Sequence, residues 1–155
     1  MSGTKSIALV SRVPCKEDVV EFLNSLHVDY IIGLGDVECP QYINNFLGIL
    51  GEMDNVTVQK YLKKNSLLID NFLDLSISFS SRKVITHFPP RNPRGSQLVL
   101  GNVLSNAPEL LFHGHIEDQL VYEVGKTKVI SVGSMEKGYY VIYDGRSFEL
   151  KRASH

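Results

Sequence analysis

Apolar and polar positions follow two rhythms along this chain. Ile7-Ala8-Leu9-Val10 is a short apolar run that breaks into the polar, proline-containing Ser11-Arg12-Val13-Pro14, which is the pattern of a buried strand and the loop after it. From Lys16 to His27 the apolar positions Val19, Val20, Leu23 and Leu26 are spaced for one face of a helix, with Glu17 and Asp18 near its amino end, where the helix dipole favours them. Tyr30-Ile31-Ile32-Gly33-Leu34-Gly35-Asp36 is a second apolar run, closed abruptly by Gly-Asp. Pro40 to Asn44 has room for about one helical turn, and a third strand is expected from Phe46 to Leu50. The order β-α-β-α-β argues for a partly parallel sheet with helices on a face.

Asn55 or Thr57 is placed to cap a helix that runs through Lys64, with Val58, Tyr61 and Leu62 turned inward. Ser66 to Phe79 alternates or runs apolar and predicts strands, and Ser80-Ser81-Arg82 supplies a turn before the strand Val84-Ile85. Phe88 to Gly95 holds Pro89, Pro90 and Pro93 and is expected to be an irregular loop. Ser96 then caps a helix carrying Leu98, Val99, Val103 and Leu104, and Leu110 to His113 reads as a further strand. Beyond it the rhythm changes to period two: Leu120 to Val124, Val129 to Val132, Tyr139 to Tyr143, and Phe148 to Leu150 after an Asp144-Gly145 turn. These last strands predict an antiparallel meander.

A chain of 155 residues suffices for one well-buried domain, so a single domain spanning 1–155 is expected. The formal net charge of −1, from 16 basic and 17 acidic residues, provides no global field toward nucleic acid or an anionic membrane. No apolar stretch approaches the roughly 20 residues that span a bilayer. Cys15 and Cys39 do not amount to a disulfide framework, and no cationic segment followed by an apolar signal region opens the sequence. The expected setting is therefore soluble, reducing and cytoplasmic. Cys15 and Cys39 follow the first two predicted strands, which can bring them close in space, and read either as a reactive thiol or extra metal ligand or, more simply, as reduced and inert cysteines.

The candidate chemistry lies at strand ends. An unpaired buried carboxylate is costly, so Asp36 must meet a cation, a donor or solvent, and ligands of open α/β sheets gather at the carboxyl ends of strands. Glu52, Asp54, His87, His113, His115 and Glu117 also fall at or just past the ends of separate apolar runs. Carboxylates mixed with imidazoles suit hard and borderline divalent metals. Singly, each histidine reads as well as a hydrogen-bonded structural residue and each carboxylate as a solvated one; the set in order is what favours a site. Arg91 and Arg94 in the proline loop are anion-binding candidates by the fork geometry of guanidinium, or simply solvated charges.

Gly35-Asp36, Gly51-Glu52-Met53-Asp54, Thr86-His87 and Gly114-His115-Ile116-Glu117, in this order, resemble the motifs of the calcineurin-like metallophosphoesterases, and most of all the small single-domain branch that includes bacterial and archaeal phosphodiesterases and Vps29. The resemblance runs from Ile7 to about Tyr143 and includes Gly133-Ser134. It implies an α+β fold, a two-sheet β-sandwich of mixed sheets flanked by helices, with a dinuclear metal site at the strand ends. Where that family has Asp-x-His, this chain has Arg12-Val13-Pro14; Met53 stands where a catalytic histidine is usual, and Glu117 where the family has a last histidine.

By the resemblance, the first metal would face Arg12, Pro14, Asp36 and Glu117. A guanidinium has no lone pair for a metal, so that site is expected to be lost, with Arg12 supplying charge and pairing with Glu117 or Asp36. The second metal would face Asp36, Glu52, His87 and His115, all competent ligands. The expectation is a degenerate phosphoesterase with one divalent ion (Mn, Zn, Ni or Fe) or none, with Arg12 and Asp54 as the remaining catalytic candidates. Activity would be weak or absent. Its partner would be a phosphate-containing small molecule or, on a Vps29-like alternative, a protein bound by a non-catalytic scaffold.

Overall fold

The computed structural model describes residues 6–51, 54–72, 74–90 and 95–153. The strands are β1 (Ile7–Val10), β2 (Tyr30–Gly33), β3 (Phe46–Gly48), β4 (Asn71–Phe72), β5 (Leu75–Ser76), β6 (Lys83–Thr86), β7 (Leu110–His113), β8 (Leu120–Val124), β9 (Thr127–Ser131), β10 (Tyr139–Tyr143) and β11 (Phe148–Arg152). The helices are α1 (Glu17–Ser25), α2 (Val56–Lys64) and α3 (Gln97–Asn106), with single 3-10 turns at Pro40–Tyr42 and Met135–Lys137. Asn55 caps α2 by accepting the Val58 N–H, and Ser96 caps α3 by accepting the Val99 N–H. These side chains satisfy amide donors that a helix start leaves without partners.

The strands form two mixed sheets, ordered β11-β10-β1-β2-β3 and β4-β5-β6-β7-β9-β8. In the first, β1, β2 and β3 are parallel; in the second, β5, β6, β7 and β9 are. Period-two alternation divides each strand between two environments. Ile7 and Leu9 of β1 join Ile32, Ile85, Phe112, Ile130, Val141 and Tyr143 in the layer between the sheets. Their neighbours Ala8 and Val10 pack instead with Val19 and Leu23 of α1 and Val58 and Leu62 of α2. On the outer face of the second sheet, Val99 and Val103 of α3 cover Val84, Leu111 and Val129. This is the two-sheet α+β sandwich implied by the resemblance. Among the described residues, no helix is long and apolar enough to cross a membrane.

The carboxyl third differs from the expected meander. β8 and β9 form an antiparallel hairpin in the second sheet, whereas β10 and β11 form one in the first. Between them the chain changes sheets through Gly133 and Gly138, both at positive φ. Alternation marks each of these strands correctly but does not say which sheet it joins. The layers are also tied far from the strand ends discussed below: the buried Tyr143 hydroxyl donates to Asp74 Oδ1 at 2.7 Å, and Lys83 Nζ donates to Asp74 Oδ2 at 2.7 Å. Burial pushes the Tyr143 hydroxyl up to about 12.

Candidate metal centre

β1, β2, β3, β6, β7 and β9 run parallel within their sheets, and the loops after them carry Arg12, Asp36, Gly51, His87, His115 and Ser134. Asp36, His87 and His115 offer ligand atoms that lie within 4.8 Å of one another. All three are buried, at 8%, 5% and 6% exposure. Glu52, the fourth expected ligand, lies outside the described residues, as do Arg91 and Arg94.

The orientation of His87 is fixed from behind. Its Nδ1 donates to the Leu34 carbonyl at 2.8 Å, which leaves Nε2 facing Asp36 Oδ2, 3.6 Å away. Among the described residues Nε2 has no hydrogen-bond partner. A buried imidazole nitrogen aimed at a carboxylate, with its other nitrogen bonded to a backbone oxygen, is the arrangement of a metal-ligating histidine. One carboxylate oxygen and two imidazole nitrogens suit a divalent ion of the zinc or manganese type.

Backbone geometry brings the ligands this close. Asp36 and His115 adopt left-handed φ values of 59° and 75°, as does Arg12 at 52°. Such conformations cost about 1–3 kcal/mol each and persist only where surrounding contacts enforce them. Gly35, at φ +101°, and Gly51 supply the necessary room: a Cβ on Gly51 would fall 2.5 Å from Asp36 Oδ1 and 2.8 Å from His87 Cε1. Ser11 links the remaining loops, since its hydroxyl donates to the Gly35 carbonyl and accepts the His115 N–H, each at 3.4 Å.

Asp54, a catalytic candidate from the sequence, is committed to the backbone instead. Its carboxylate accepts N–H groups from Asp36 (3.2 Å), Val37 (3.0 Å) and Gly51 (2.7 Å), clamping the loop after β2 to the loop after β3. Burial holds this carboxyl above the usual aspartate range, against the lowering effect of those donors and with a further raising contribution from Asp36.

The expected Arg12–Glu117 pair does not form. Arg12 Nη2 meets Glu136 Oε1 at 3.6 Å, and Glu117 meets Lys137 at 3.7 Å. Two backbone bonds explain the exchange. The Met135 N–H donates to the Ser11 carbonyl, which draws Glu136 toward Arg12, and the Ser134 N–H donates to the Glu117 carbonyl, which sets Glu117 beside Lys137. The cysteines also depart from expectation: Cys15 and Cys39 form a disulfide, with Cα atoms 5.3 Å apart. They follow the adjacent parallel strands β1 and β2, and a Val13–Val37 bridge with a Cys15 N–H bond to Glu38 Oε1 brings the two loops together.

His113 supports the cluster from outside it. Its Nδ1 donates to the Gly114 carbonyl at 2.8 Å, and its Nε2 accepts from the Tyr122 hydroxyl at 2.9 Å. Burial, reinforced by His115 and His87, lowers its pKa to about 4. The native ring therefore stays neutral where the unfolded chain, titrating near 6.5, takes up a proton. That contribution to stability is fully present above about pH 6.5 and is lost as pH falls toward 4, on the order of 3 kcal/mol in all. Denaturant midpoints measured from pH 7.5 to 4.5 should fall accordingly, and the decline should shrink in His113→Gln. An unchanged decline would show that other groups carry it.

No protein-family profile and no curated protein matches the chain. Solved structures do. An archaeal phosphodiesterase superposes with a TM-score of 0.66 at 19% identity, covering 96% of this chain and 99% of that one. A metallophosphoesterase from Sphaerobacter thermophilus superposes at 0.60 with 16% identity, covering 99% and 89%. The chain has the calcineurin-like metallophosphoesterase fold. Vps29 from Entamoeba histolytica shares it, with a TM-score of 0.55, 12% identity and coverage of 96% and 98%. On this metallophosphoesterase fold the structure brings together three of the four ligands expected for a second metal. The sequence did not single out Ser11, Leu34, Tyr122 or Glu136, which act through a hydroxyl or carbonyl in ordinary strand context, or from a turn whose neighbour only the fold reveals.

Proposed function

We propose that the chain binds one divalent cation through Asp36, His87 and His115, with Glu52 as a fourth ligand, and that it is a weak hydrolase of phosphate esters. The observation that carries this reading is the buried His87 Nε2, held by the Leu34 carbonyl and aimed at Asp36. A bound divalent ion would polarise a phosphoryl oxygen and make its bound water more acidic. The chain's own residues bind and orient: His87 and His115 would offer imidazole nitrogens, and Asp36 a carboxylate oxygen. Asp54 keeps the two loops in register. Weak turnover follows from Arg12 and Pro14 standing where a first metal would need ligands, since a second ion normally shares stabilisation of the attacking and leaving oxygens.

Hydrolysis of bis-p-nitrophenyl phosphate and p-nitrophenyl phosphate, with manganese, zinc or nickel added in turn, tests the reading. Turnover that depends on the metal and is lost in His87→Ala supports it. A second reading, a protein-binding scaffold, is favoured by Leu98 and Leu104, which α3 leaves 75% and 56% exposed. Isolated apolar residues are ordinary on surfaces, so that reading leads only if no metal-dependent turnover is found.

A further inference from the structure

We propose that Arg12 is the side chain that holds the phosphoryl group, its guanidinium engaging two nonbridging oxygens of a phosphate ester seated over Asp36, His87 and His115. This rests on the single-cation reading above and adds to it the residue that anchors the substrate.

The first observation is placement. Arg12 follows β1 beside the loop after β2 that carries Asp36, and the two loops are joined by the Arg12 N–H to the Gly35 carbonyl (3.3 Å) and the Val13 N–H to the Asp36 carbonyl (3.0 Å). The second is conformation. Arg12 has a left-handed φ of 52°, which a long side chain adopts only under constraint. The third is an unused donor: Arg12 Nε is buried and, among the described residues, has no hydrogen-bond partner. A buried donor left unmade is costly, about 1–3 kcal/mol.

The fourth observation is how loosely Glu136, the carboxylate paired with it among the described residues, meets it. Glu136 stands 3.6 Å from Nη2, outside hydrogen-bond distance, and is 48% exposed, while Arg12 is 28% exposed. An arginine held only for structure would close its fork on that carboxylate. Among the described residues the guanidinium makes no hydrogen bond, and its parallel N–H donors match two oxygens of a tetrahedral phosphoryl group. The charge also agrees, because a phosphate ester brings the negative charge that a cation and a guanidinium side by side both require.

The test uses the full chain, manganese-loaded and metal-free, titrated with inorganic phosphate by calorimetry, with bound ion measured for each variant. Arg12→Ala should keep the wild-type ion content and lose about tenfold or more in phosphate affinity, the size of a charge-assisted pair. Arg12→Lys, which keeps the charge without the fork, should fall between. Glu136→Gln, which frees the guanidinium without touching it, should bind phosphate more tightly than wild type and serves even if Arg12→Ala does not fold. Phosphate affinity in Arg12→Ala within roughly twofold of wild type, below what a lost charged hydrogen bond implies, would overturn the proposal. So would a wild-type chain that binds no phosphate in either form. If wild type takes up no ion, the cation reading fails by itself, and dependence on Arg12 in the metal-free chain still decides this one.

Discussion

Asp54→Ala should lower the unfolding free energy by about 3–5 kcal/mol, one of the largest losses expected from any single substitution outside the apolar core. The reason is arithmetic on donors. One carboxylate accepts the N–H groups of Asp36, Val37 and Gly51, and Asp36 and Val37 are themselves buried. Deleting it leaves three donors without their acceptor, at about 1–3 kcal/mol for each that water cannot reach. Asp54→Asn retains one acceptor oxygen but turns an amide toward a backbone N–H, so it should fall between alanine and wild type. Urea midpoints measure the stability, and metal uptake by the folded fraction measures the second effect, since Asp36 and Gly51 would no longer be held in register. An alanine variant within about 0.5 kcal/mol of wild type, the range of ordinary surface substitutions, would show that Asp54 is not the clamp.

Cys39→Ser should cost about 3 kcal/mol, and reduction of the wild type with dithiothreitol should reproduce most of that loss. The Cys15–Cys39 bridge closes a loop with a sequence separation of 24, and restricting the unfolded chain over that length is worth about 3 kcal/mol in the loop-entropy account. The bridge also ties the loop that carries Arg12 to the loop that carries Asp36. The double variant Cys15→Ser/Cys39→Ser should be no less stable than Cys39→Ser alone, because the second thiol contributes only through the bond. Two free thiols titrated in untreated native protein, or a midpoint that ignores dithiothreitol, would contradict this.

The sequence carries local information well and pairing information poorly. Asp36 was legible because a carboxylate closing an apolar strand has few structural uses, and the caps Asn55 and Ser96 because a capping side chain acts within its own turn. His87 and His115 were legible as candidates through their order along the chain, and the structure places them beside Asp36. The partners of Arg12 were not, because Glu117 and Glu136 exchange roles through two backbone bonds formed by Met135 and Ser134. The cysteine pairing failed differently: the two loops after adjacent strands were expected to bring Cys15 and Cys39 close, but a count of only two cysteines was read as reduced thiols rather than a bond. Asp54 looked chemical because it follows a glycine-terminated strand, yet its carboxylate turns to backbone N–H groups 17 and 18 residues away. The change of sheets between β9 and β10 was hidden because alternation is the same on either sheet.

Metal content per chain is the most direct test of the central claim. Wild type and His87→Ala would each be dialysed against manganese, zinc and nickel in turn, freed of loosely held ions, and analysed by elemental spectrometry alongside protein concentration. The account predicts about one ion per folded wild-type chain and a loss of that ion in the folded fraction of His87→Ala. A wild-type chain that retains none of the three metals, or a His87→Ala variant that retains as much as wild type, would contradict it.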